Sequence, residues 1–266
     1  LAEDMHPDYR NVTLKHLLAH RAGFPKAHNP PGMSNLDILR IPGSPRQQRI
    51  AYARMMLKEP PEAKPGEKYI YSNIGYAIAG LICEQAMDTS WETLMREMVF
   101  KPLGMKTADL GTMSSPNDVE QPWNHRIRNG EVRPIEAGTN DALPPARAPA
   151  GAVNCSMKDW AKFIVAHLKA GKNEASLLKP ETFQILHTPP FEGTYALGWE
   201  VTERKWGNGQ VLTHTGNNGS YAVVWMAPKR NFAILVATNF GDKPASKACD
   251  EAASMLIRKF LLDRKR

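Results

Sequence analysis

The chain has 266 residues, of which 42% are hydrophobic and 23% charged, and it carries a formal net charge of +7. That balance fits a folded globular chain and excludes disordered, collagen-like and coiled-coil classes. Its longest apolar stretch, Ile74–Cys83, is far short of the roughly 20 residues that cross a bilayer as a helix, so no membrane span is expected. The basic residues are scattered and carry no interleaved aromatics, so the excess of positive charge does not point to a nucleic-acid partner.

Thr13–Gly23 reads as a short helix, with Thr13 as N-cap, Gly23 just past its end, and Leu14, Leu17 and Leu18 on one face. A Pro- and Gly-rich loop is expected from Phe24 to Gly43. Ser44-Pro45-Arg46-Gln47 is a capping-box start with Pro at the first helical position, and its helix runs to about Lys58. The Pro-rich run from Glu59 to Gly66 stops it. Tyr69–Asn73 then leads into a nearly all-apolar helix, Ile74–Met87, whose composition requires burial on most sides. Trp91–Phe100 is amphipathic. Residues 106–150 read as an irregular wall with one hairpin signal, Asn129-Gly130. Ser156 starts a helix to about Leu168, and another lies near Pro180–His187.

The last third changes period. Tyr195–Thr202, Gln210–His214, Ser220–Ala227 and Phe232–Asn239 read as strands joined by tight turns, closed by a helix over about Ser246–Leu262. Helices followed by an antiparallel meander and a covering helix give an α+β class. The expected arrangement is one domain, with a helical region over about 13–187 and a sheet region over about 194–266.

The commoner chemical motifs are missing. Neither a complete G-x-G-x-x-G nor a G-K-[ST] occurs, and H-L-L-A-H (16–20) lacks the Glu of the zinc-protease pattern. His16 and His20 therefore read as structural, and neither a cofactor nor a metal is expected. Cys83, Cys155 and Cys249 are odd in number and far apart, which fits buried free thiols rather than a disulfide framework or a zinc site. G-x-S-x-G is also absent. Two loci are better placed for chemistry. Tyr71-Ser72-Asn73 sits on a loop just before a buried helix, and His214-Thr215-Gly216 ends a strand whose edge offers outward N–H groups.

These loci lie among ordered phrases: T-L-K-H-L-L-A-H-R-A-G (13–23), K-P-G-E-K-Y-I-Y-S-N (64–73), K-P-L-G-M-K-T (101–107), A-P-A-G-A-V (148–153), Y-A-L-G-W (195–199), H-T-G (214–216) and A-T-N (237–239). In that order the chain resembles the serine β-lactamase/penicillin-binding-protein family, in its class C-like branch of D,D-peptidases and esterases. The resemblance implies a β-lactamase/D,D-peptidase-like fold and a serine hydrolase working through an acyl-enzyme. Tyr71 would move the nucleophile's proton, with its hydroxyl pKa lowered by nearby cations. Asn73 would hydrogen-bond the substrate amide and the catalytic Lys. His214 stands where many members carry Lys, and Thr215 and Gly216 would line the substrate strand, with the Asn217 N–H as an oxyanion donor. An unperturbed His214 would change charge near neutral pH, weakening anionic substrates as pH rises through roughly 6 to 8.

One part of the family pattern is displaced. The S-x-x-K motif that supplies nucleophile and base belongs roughly 50 residues before the L-L-A-H helix, and the chain opens at Leu1 without a Met or a leader-like segment. The one literal match, Ser176-Leu-Leu-Lys179, lies on the wrong side of the Tyr motif and reads as coincidence. The expectation is an N-terminally incomplete domain lacking the family's N-terminal strands and nucleophile helix, with those residues upstream or on its own N-terminal segment as a separate chain. The expected partner is a small acyl substrate, whether β-lactam, D-alanyl peptide or ester. The alternative is a catalytically silent relative that binds or scaffolds. Location is not legible in these residues.

Overall fold

The computed structural model describes residues 3–118, 120–135, 143–170 and 177–263. They divide into two compact units, one drawn from residues 1–102, 108–112 and 140–154, the other from 103–107, 113–139 and 155–266.

The first unit is mainly helical. α1 (Leu14–Leu18) starts on a reciprocal cap in which His16 N–H bonds the Thr13 hydroxyl and Thr13 N–H bonds His16 Nδ1. It stops four residues earlier than its pattern suggests, at Leu18. His20 takes a positive φ of 55°, and the carbonyls of His20, Arg21 and Gly23 are taken by the N–H groups of Ile70, Gly66 and Glu62. Long-range pairing has replaced the helix's own bonds. The expected loop from Phe24 to Gly43 also needs correction, because α2 (Asn35–Leu39) lies within it, capped by Ser34 with Asp37 returning the bond at 2.7 Å.

α3 (Pro45–Lys58) begins on the Ser44/Gln47 box and ends before Pro60, as the sequence suggests. α4 (Asn73–Met87) is buried along most of its length. Two glycines let neighbours approach it: a Cβ on Gly75 would stand 2.9 Å from the Leu17 carbonyl oxygen, and one on Gly80 would stand 2.3 Å from Pro149 Cγ. α5 (Trp91–Leu94) is capped by Ser90 and runs on in wider π-helical turns over Met95–Phe100. A two-residue antiparallel ladder joins β1 (Asp109–Leu110) to Val153–Asn154, which is β4 in chain order. The core joins Ile38, Tyr52, Met56, Ile74, Ile78 and Leu81, all nearly inaccessible.

Within this apolar core sits an ion cluster. Arg49 contacts Glu84 through Nε at 3.1 Å and Nη2 at 2.7 Å, reaches Glu92 at 2.9 Å, and donates to the Pro145 carbonyl at 2.7 Å. Glu84 also accepts the Trp91 N–H at 2.8 Å. Both Arg49 and Glu84 side chains are fully buried. Such charges are tolerated only when this thoroughly paired.

In the second unit, β2 (His125–Arg128) and β3 (Glu131–Pro134) form the hairpin marked by Asn129-Gly130, whose φ values are 53° and 79°. That double positive φ gives a turn matching the strand twist. α6 (Met157–Ala170) and α7 (Pro180–Leu186) precede the main sheet. Its strands are β5 (Glu200–Arg204), β6 (Gly209–Asn217), β7 (Tyr221–Ala227) and β8 (Phe232–Thr238), antiparallel in that order.

Strand β5 begins later than the expected Tyr195, because Ala196 N–H bonds the Trp199 carbonyl across a tight turn with Gly198 at φ 95°. Alternation along β7 sends Val224 and Met226 to one face and Tyr221 and Val223 to the other. The first pair packs with Ile164 and Leu168 of α6, the second with Ala245 and Cys249 of α8 (Lys243–Ile257). The sheet is thus covered on both faces, by α6 as well as by the C-terminal helix. This is an α+β architecture.

The thiols differ from expectation. Cys249 is buried, Cys155 partly so, and Cys83 exposed. Cys83 lies on α4's outward side, which the all-apolar pattern of that helix conceals.

Candidate active site

Ser72 is the N-cap of α4, so Tyr71 leads into the helix and Asn73 is its first residue. The turn is held from behind by α1's C-terminal extension. Ile70 N–H donates to the His20 carbonyl at 2.9 Å, and Ser72 N–H donates to His20 Nδ1 at 3.1 Å. The His20 and Tyr71 rings lie 4.1 Å apart, and Tyr76 is 5.2 Å from His20. Ser72 is buried, Asn73 half-buried, and Tyr71 39% exposed, so the tyrosine is the most exposed of the three.

Burial raises the Tyr71 hydroxyl above its ordinary pKa. The sequence leads one to expect the reverse, a tyrosine depressed by cations. Within this unit the geometry gives a neutral hydroxyl donor, because taking the ring from water disfavours the phenolate.

His16 and His20 do not share a helix, since α1 ends at Leu18. His16 caps α1, while His20 supports the Tyr71 turn. Among the described residues no group of three or more His, Cys, Asp and Glu is arranged to hold a metal ion, and no helix is long and apolar enough to cross a membrane.

In the second unit, His214, Thr215, Gly216 and Asn217 are the last four residues of β6. Each has a partner on β7: Val224, Val223, Ala222 and Tyr221. On the other side β5 reaches only Thr213, opposite Glu200. Residues 214–217 therefore run past the end of β5. A would-be Cβ on Gly216 meets nothing within 4 Å among the described residues.

His214 Nδ1 lies 2.8 Å from the Gly198 carbonyl oxygen, which fixes Nδ1 as the donor and leaves Nε2 as the acceptor of the neutral ring. Burial lowers its pKa, opposed by the Gly198 bond and by Glu200. Asn217 commits its side chain to the turn, donating to the Gly241 carbonyl at 2.6 Å and accepting Gly219 N–H at 3.3 Å.

The structure thus gathers Tyr71 and Asn73 on one unit and His214–Asn217 on the other. Two contributors escape a reading of the sequence. His20 is legible there only as one of two histidines in a helical phrase, and its positive φ is hidden. Gly198 is visible in Y-A-L-G-W, but that its carbonyl sets the His214 tautomer depends on a turn where a strand is expected. Ser176 lies outside the described residues.

The family model described as Beta-lactamase matches residues 1–257. Penicillin-binding protein 4 of Amycolatopsis lactamdurans is 26% identical over 246 residues, covering 87% of this chain and 60% of its own length. A protein named putative D-alanyl-D-alanine carboxypeptidase from Escherichia coli O157:H7 is 24% identical over 265 residues, covering 90% of this chain and 58% of its own. The chain therefore spans less than two thirds of these relatives. Among solved structures, the penicillin binding protein from Bacillus halodurans superposes with a TM-score of 0.73 at 19% identity, over 95% of this chain and 76% of that one.

Proposed function

Since the chain belongs to the Beta-lactamase family, we propose that it carries two parts of a serine acyl-transfer site, the Tyr71/Asn73 turn and the His214–Asn217 strand end. In this reading a serine oxygen attacks an acyl carbonyl, the oxyanion is held by backbone N–H groups, and water releases the acyl-enzyme. The observation that carries it is the register of β6. Among the described residues, 214–217 pair with β7 alone, leaving one edge on which an extended acyl chain can lie as an added strand.

Tyr71 is the proton carrier and Asn73 the amide-binding side chain. His214 presents Nε2 to the substrate, and Asn217 N–H is one oxyanion donor. Because burial alone raises Tyr71, the site needs a cation to make it a base. The Lys of S-x-x-K supplies that cation, and we assign the motif to a segment outside residues 1–266, on the same polypeptide or as a separate N-terminal piece. The substrate is a small acyl compound: D-alanyl peptide, β-lactam or ester. The names of the two relatives favour the first two.

Labelling separates this from a silent relative. The 266-residue chain and the upstream-extended protein are each incubated with a fluorescent penicillin and a fluorophosphonate. Label on the extended protein alone is expected. Label on the short chain contradicts the assignment of the nucleophile, and label on neither indicates a binding or scaffolding protein.

A further inference from the structure

His20 stands where a histidine costs conformational energy. Its φ of 55° lies in the left-handed region, which side-chain-bearing residues occupy only when their surroundings hold them there. What holds it is the Tyr71 turn. The side chain is 3% exposed, and Nδ1 accepts the Ser72 N–H at 3.1 Å. The carbonyl accepts the Ile70 N–H at 2.9 Å. Its ring is 4.1 Å from Tyr71, 5.2 Å from Tyr76 and edge-on to Tyr69 at 5.9 Å. Tyr76 is itself anchored, its hydroxyl donating to the Leu18 carbonyl at 2.8 Å. The backbone on both sides of Tyr71 and its ring thus converge on one residue, through the carbonyl, Nδ1 and ring of His20.

We propose that His20 is a positioning residue for Tyr71: Nδ1 fixes the Ser72 peptide while the ring fixes the plane of the Tyr71 side chain. The use of a fixed Tyr71 rests on the acyl-transfer reading, but the contact does not. A histidine that only fills space would be replaceable by any apolar residue of similar volume. The positioning role makes a narrower demand, for a residue at ease at positive φ with an acceptor one bond beyond Cγ. Asparagine meets both conditions, since it tolerates the left-handed region and places Oδ1 where Nδ1 stands. Leucine meets neither.

The test compares H20N and H20L in the 266-residue chain by amide hydrogen exchange and by ¹⁹F spectra of 3-fluorotyrosine-labelled protein, with Y71F assigning the Tyr71 resonance. In H20L, Ser72 N–H exchange is expected to quicken about tenfold, the loss of one hydrogen bond. The Tyr71 resonance and its titration midpoint shift as well, while those of Tyr9 and Tyr52 stay in place. H20N keeps Ser72 protected as in the native chain. Unchanged Ser72 exchange and Tyr71 midpoint in H20L overturn the proposal, and so does an H20N that loses Ser72 protection. If H20L does not fold, H20N decides alone on that same protection. Neither measurement involves acylation, so failure of the labelling experiment leaves this one to be judged separately.

Discussion

At His214 a single hydrogen bond decides which ring nitrogen carries the proton. With Nδ1 bonded to the Gly198 carbonyl at 2.8 Å, Nε2 is the unprotonated nitrogen of the neutral ring, and burial holds the ring's pKa below its ordinary 6.5. The sequence expectation of a charge change through neutrality therefore moves to lower pH. The folded-state value is depressed, so the neutral ring's contribution to stability is complete above about pH 6.5 and is lost as pH falls below it. Imidazole resonances followed by NMR should give a His214 midpoint below that of a free histidine. A midpoint at or above 6.5 contradicts the geometry. Replacing His214 by Lys would keep a positive charge through neutrality, which this protein's neutral ring does not offer.

Elements show where local pattern suffices. The caps of α3 and the Asn129-Gly130 hairpin are legible because each depends on residues within four positions. The Ser34/Asp37 cap is equally local, but the surrounding Pro and Gly obscure it. The end of α1 is not legible at all, because it is set by residues 62–70 pairing back across about 40 to 50 positions. Both site motifs stand out in sequence, whereas their supports, His20 and Gly198, depend on a positive φ and a tight turn that no periodicity marks.

Two mutations probe α4's packing. Removing the Glu84 carboxylate by E84A leaves Arg49 buried with one partner fewer, and chemical denaturation should register a loss of about 3–5 kcal/mol. G80A would drive a Cβ into Pro149, and the same measurement should register about 1–3 kcal/mol. A neutral outcome at either position would mean that the ion cluster or the Pro149 contact does not support the helix that carries Asn73.

For the whole molecule, acid is the revealing perturbation. In the second unit His167 Nδ1 and His187 Nε2 are 2.8 Å apart, and both rings lie edge-on to Trp199. Burial lowers His167 to about 3, with His187 adding to the effect, and burial lowers His187 to about 4. Both folded values are below 6.5, so stability is complete above that pH and declines toward pH 4 as the unfolded chain takes up protons first. The loss should be on the order of a few kcal/mol by urea titration at pH 4 against pH 7. The H167Q/H187Q pair should flatten that dependence, and an unaltered slope would show that other groups carry it.

The central claim is that the Tyr71 turn and the His214 strand end serve a serine whose motif lies outside residues 1–266. Peptide mapping of the upstream-extended protein after reaction with a fluorophosphonate tests it most directly. One adduct is expected, on the serine of an S-x-x-K upstream of Leu1, formed at least about a hundredfold more slowly in Y71F. An adduct within residues 1–266, at Ser176 or elsewhere, or a rate indifferent to Y71F, would contradict it.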